Sequence, residues 1–60
     1  MYVGRNYKII ENFSIFEENM VCSCFKEDDI YCWLWFQRPA IGFMQQVKLK
    51  KNLMIYLKEI

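Results

Sequence analysis

Four groups of residues in this chain have the types and spacing for chemistry: three cysteines, a set of carboxylates, a line of aromatic rings and a lysine cluster. Cys22-Ser23-Cys24 and Cys32 come first, because thiolates ligate zinc and a structural site needs a tetrahedron of donors. The chain has no His to complete one. Alternation along two paired strands sends Cys32 to the face opposite Cys22 and Cys24. Cys22 and Cys24, two apart on a flat strand, also stand too far from each other to bridge. What remains is a zinc shared between the C-x-C pairs of two protomers, or packing of cysteine as a small hydrophobe. Packing is the expectation, with no metal and no cofactor.

Acid–base and nucleophilic catalysis fare no better. Without His the chain lacks the commonest general base and the usual activator of a Ser or Cys nucleophile, so Ser14 and Ser23 have no partner. Glu17, Glu18, Glu27, Asp28 and Asp29 fall at expected turn tips, where carboxylates are solvated, and their spacing is not that of a calcium-binding loop. No Gly-rich phosphate loop is present. The expectation is a protein that is not an enzyme.

Tyr31, Trp33 and Trp35 are spaced two apart, so a strand would set all three rings on one face, with Met20, Cys22 and Cys24 beside them across a hairpin. These six are the expected partner or dimer interface, since Trp and Tyr dominate binding hot spots. The same rings could stack the bases of a single strand. In that alternative Lys48, Lys50 and Lys51 contact phosphates, with Arg5, Lys8, Arg38 and Lys58 as further cations. The competing structural reading makes the rings a core against the C-terminal segment and the lysines a solvated face.

The elements that must hold these residues follow from periodicity. Tyr7, Ile9, Phe13 and Ile15 alternate with polar neighbours as a half-buried strand does. Glu17-Glu18-Asn19 then reads as a hairpin loop, with Asn19 suited to the left-handed conformation. Met20 to Phe25 pairs with Ile30 to Phe36 around Lys26-Glu27-Asp28-Asp29. That register puts Val21, Ser23, Phe25, Ile30, Cys32, Leu34 and Phe36 on one face, opposite Ile15 and Phe13 of the first strand. Gly4 reads as a turn, and Pro39 and Gly42 as a break. For the rest, Leu49, Leu53, Tyr56, Leu57 and Ile60 form a helical stripe, although Val47, Met54 and Ile55 interrupt it. The expected fold is α+β: a three-stranded antiparallel meander over 7–16, 20–25 and 30–36 with a C-terminal helix over 45–59. The alternative is all-β, with 43–50 and 53–59 as a further hairpin.

Sixty residues make a single small domain over 1–60, which buries only ~60% of the surface its unfolded chain exposes. Dense apolar content, 55% with five Phe, four Tyr and two Trp, excludes disorder. A net charge of +1 supplies no global field toward nucleic acid or membrane. The N-terminus lacks the apolar stretch of a signal peptide, and Ile30 to Phe36 is far shorter than the ~20 residues of a membrane span. The reading is a complete chain from Met1, cytoplasmic, with reduced thiols. Lys, Ile, Asn, Tyr and Phe supply 26 of 60 residues and Ala, Gly, Pro and Arg only six, the bias of a low-GC genome. Both hairpin faces are apolar, so a second chain is expected to cover one. The expected function is a small phage or mobile-element protein, homodimeric, that binds and blocks a host defence protein; the alternative is a nucleic-acid-binding module.

Overall fold

The computed structural model describes residues 1–37 and 45–60. The break expected at Pro39 and Gly42, the first residues of the alternative strand at 43–44, and Arg38 as a phosphate contact lie outside these residues. The described chain forms strands β1 (Asn6–Ile9), β2 (Val21–Glu27), β3 (Tyr31–Phe36) and β4 (Gln46–Lys50), a 3-10 helix over Lys51–Tyr56, and β5 (Leu57–Glu59). The strands make one antiparallel sheet in the order β4-β3-β2-β1-β5. The expected C-terminal helix over 45–59 is therefore absent. Gln46 to Lys50, with Val47 opposite Leu34, keeps the polar–apolar alternation of a strand along β3, and where Met54 and Ile55 interrupt the helical stripe only a short 3-10 segment forms. The all-β alternative describes the fold better, but its final hairpin does not exist. β4 pairs with β3, whereas β5 crosses to β1, with Ile9 opposite Leu57 and Tyr7 opposite Glu59.

That crossing shapes the sheet. Four interstrand spacings would put the edges of a flat sheet about 19 Å apart, while six residues of 3-10 helix rise about 12 Å. The sheet must therefore curl for β4 and β5 to be joined so directly, and the molecule measures 29 × 19 × 19 Å.

The first strand is also shorter than expected. Glu11 and Asn12 break the alternation after Ile9, and Phe13 to Phe16 closes a tight turn in which Phe13 and Phe16 exchange backbone hydrogen bonds of 3.1 and 2.8 Å. Ser14 takes a φ of 51° at this turn. Phe13 and Ile15 therefore do not pair with Ser23 and Val21. Residues 10–20 fold back over the sheet instead, stacking Phe16 on Phe36 and Phe13 on Tyr56, with ring centroids 5.4 and 4.6 Å apart. Asn19 is left-handed at φ 76°, and Gly4 turns the lead-in at φ 83°.

A bulge decides which residues face the core. The β2–β3 hairpin closes tightly, because the Asp28 carboxylate accepts the backbone N–H groups of Ile30 and Tyr31 at 2.8 and 2.7 Å. From that turn Glu27 pairs with Cys32 and Lys26 with Trp33; the register then slips by one at Phe25, so Cys24 meets Leu34 and Cys22 meets Phe36. One extra residue in a strand inverts the facing of everything beyond it. Cys22 and Cys24 thereby move from the tryptophan face, where the sequence pattern set them, to the core. The core comprises Tyr7, Ile9, Phe16, Cys22, Cys24, Cys32, Leu34, Phe36, Leu49, Met54 and Leu57. Residues 10–20 and the 3-10 helix cover it, so this face of the sheet is hidden by the chain itself.

Candidate functional site

The thiols are the first to be settled by this register. Cys22, Cys24 and Cys32 all face the core at 0, 2 and 0% exposure, rather than dividing between two faces, and all are free. Burial raises the Cys22 thiol to about 12 and Cys32 to about 11, with Cys24 alongside both adding to the effect. The Cys22 and Cys32 thiols remain protonated and apolar at neutral pH, unlike ligating or nucleophilic cysteines. Among the described residues no group of His, Cys, Asp or Glu is arranged to hold a metal.

The expected interface of six therefore splits. Cys22 and Cys24 lie in the core, and Met20 packs half-buried against it. Tyr31, Trp33 and Trp35 stand together on the outer face of β3, where Trp35 is 39% exposed. Their cross-strand neighbours follow from the pairing: Ser23 and Gln46 flank Trp35, Lys26 and Lys48 flank Trp33, and Lys50 lies beside Tyr31. Tyr31 and Trp33 tilt toward each other, with centroids 6.3 Å apart at 59°.

Lysine ammoniums sit on these rings. Lys48 Nζ lies 4.1 Å from the Tyr31 centroid and 5.6 Å from Trp33, and Lys26 Nζ lies 4.8 Å from Trp33. Each such contact is worth ~0.5–1 kcal/mol at an exposed site, and the lysine stems shield part of the aromatic surface. Lys26 is the member that the sequence pattern missed. A four-residue turn would have placed it at the tip, and only the tight turn at Asp28 brings it beside Trp33.

Lys51 belongs elsewhere. It begins the 3-10 helix and bonds Glu27 on the core side, Nζ to Oε2 at 3.0 Å. Glu27 Oε1 also accepts the backbone N–H groups of Tyr2 and Val3 at 2.7 and 3.1 Å. Lys51 first, then Val3 and Tyr2, hold the Glu27 carboxyl down at about 2. This carboxylate anchors the lead-in residues to the sheet, and because Val3 stands 24 positions away in sequence no local motif announces the contact. Arg5 likewise pairs with Glu59, at 2.9 Å.

Strand alternation sorts the charges. On the outer face the charged strand residues are Lys8, Lys26, Lys48, Lys50 and Lys58, and no carboxylate joins them among the described residues. Glu27 and Glu59 lie on the core side, Asp28 and Asp29 at the hairpin turn, and Glu11, Glu17 and Glu18 in the β1–β2 connection. A chain that is almost neutral as a whole thus carries a segregated cationic face lined with aromatic rings. Compared with known protein families, curated proteins and solved structures, the chain matches none. No helix among the described residues is long and apolar enough to cross a membrane.

Proposed function

We propose that this chain is a non-enzymatic interaction protein that seats the outer face of β2, β3 and β4 on a macromolecular partner and masks it. The observation that carries this reading is the alignment of Tyr31, Trp33 and Trp35 on one sheet face, framed by Lys26, Lys48 and Lys50, with no carboxylate among the described strand residues of that face. Rigid rings on a strand bind at little entropic cost, and aromatic residues concentrate binding energy. The action is steric: a face held by the sheet keeps other molecules off the surface that it occupies. The low-GC composition fits a phage or mobile element acting in its host's cytoplasm. There, masking blocks a defence protein directly or denies that protein the molecule it must use.

A homodimer built through this face would bring two copies of the same lysine-framed patch together, because a two-fold contact uses one patch of both subunits. Like charges in apposition oppose that arrangement, and the working form in this proposal is a single chain. The test is capture from lysate of a low-GC bacterium, with wild type, Trp35→Ala and Lys48→Glu as baits. A stoichiometric partner held by wild type and lost by both variants is the expected result, with circular dichroism showing that both stay folded. Equal retention by all three baits would refute the outer face as the working surface.

A further inference from the structure

The occupant of the outer face follows from its chemistry. Resting on the docking-face reading above, we infer that Tyr31, Trp33 and Trp35 bind three consecutive bases of a single-stranded nucleic acid, with Lys26, Lys48 and Lys50 on its phosphates. Charge selects a polyanion, because every charged strand residue on this face is a lysine. The rings select a polyanion that carries flat groups at regular intervals. Residues two apart on a strand are spaced ~6.6 Å, about twice the ~3.4 Å rise of stacked bases. A strand drawn out to that spacing offers one base to each ring, whereas a duplex keeps its bases stacked inside. The ammoniums of Lys26 and Lys48 rest on the rings of Trp33 and Tyr31, at 4.8 and 4.1 Å. On binding, each base takes a ring face and each ammonium swings to a neighbouring phosphate. Long flexible stems anchored beside the rings make this exchange local, with no movement of the sheet.

Both tryptophans of the chain lie on this face, so intrinsic fluorescence reads the site directly. The experiment titrates the whole chain with oligo-dT and oligo-rU of about three to twelve nucleotides, with a duplex of the same length and with inorganic polyphosphate. Quenching by the single strands is expected, with affinity levelling off beyond about three to four nucleotides apart from statistical gain. Three phosphate contacts give a salt slope near −2, a loss of about 20-fold between 50 and 200 mM salt. Trp35→Ala should weaken binding by about tenfold or more, and Lys48→Glu should weaken it while flattening the salt slope. The dT and rU arms separate DNA from RNA as the source of the strand.

Polyphosphate binding as tightly as the oligonucleotides, or a duplex binding more tightly than a single strand, overturns the inference. So does absence of quenching at low salt; if the lysate partner is then a protein released by Trp35→Ala, the docking face survives and only its occupant is wrong. Oligonucleotide binding left intact by both Trp35→Ala and Lys48→Glu refutes face and occupant together.

Discussion

At the scale of single residues, the molecule divides its aromatic side chains between two jobs. Phe36 and Phe16 stack inside the core, while Trp33 and Trp35 sit on the outer face of the same sheet. Their substitutions should separate accordingly. Phe36→Ala removes a fully buried ring and should cost about 3–5 kcal/mol, a large part of the stability available to so small a domain. Thermal melting should show it largely unfolded near room temperature. Trp35→Ala should shift stability by less than about 1 kcal/mol, the ordinary range for an exposed position. A Trp35→Ala loss as large as that of Phe36→Ala would mean that the outer face is core. The spacing of Tyr31, Trp33 and Trp35 in the sequence is enough to set the three rings on one face of a strand, and the pairing of β3 places them so. Spacing could not show which thiols accompany them, because alternation fixes the facing of Cys22 and Cys24 only when the register is known.

At the scale of elements, strands declare themselves and the connections between them do not. β2 and β3 are legible within two residues of their ends, since aromatic and apolar residues dominate Val21 to Phe25 and Tyr31 to Phe36. The bulge at Phe25 is not, because it arises from two competing demands: a tight turn that Asp28 stabilises, and a core that needs Cys22 and Cys24 on the side of Leu34 and Phe36. The short first strand was hidden for a related reason. Phe13 and Ile15 continue the period of Tyr7 and Ile9, but the turn between Phe13 and Phe16 puts residues three apart, not two, over the sheet. That turn is strained at Ser14, which pays the left-handed penalty of about 1–2 kcal/mol that glycine avoids. Ser14→Gly should therefore raise stability by up to about 1 kcal/mol after the added entropy of the unfolded chain, measurable as a higher urea midpoint with an unchanged slope. The C-terminal segment misled through composition: its Lys, Leu and Met residues favour helix mildly, and pairing of Gln46 to Lys50 with β3 overrides that preference.

At the scale of the whole molecule, long-range polar contacts tie the lead-in residues to the sheet. The Glu27 carboxylate, held at about 2 by Lys51, Val3 and Tyr2, is the principal one. Its folded value lies below that of the unfolded chain, so its contribution is present above the unfolded value and is lost as pH falls toward 2. Acid titration followed by circular dichroism should show stability declining from about pH 5 downward. Glu27→Gln should be less stable at neutral pH and should flatten that decline. Because residues 10–20 and the 3-10 helix already cover the core face, the melting temperature should not change on dilution. A fall on dilution would show a second chain contributing to the fold by mass action and would restore the dimer that the two apolar hairpin faces suggest.

The partnership of β1 with β5 bears on how the fold is reached. Tyr7 finds Glu59, and Ile9 finds Leu57, only after nearly the whole chain has been brought round to meet them. Closing so long a loop precedes any reward from the contacts it makes, and folding dominated by such distant pairings runs in milliseconds to seconds rather than microseconds. During synthesis β2 and β3 can zip together early, yet β1 keeps an unpaired edge until residues 57–59 clear the ribosome. That interval is when a nascent copy is most exposed to aggregation, and it ends with the arrival of three residues.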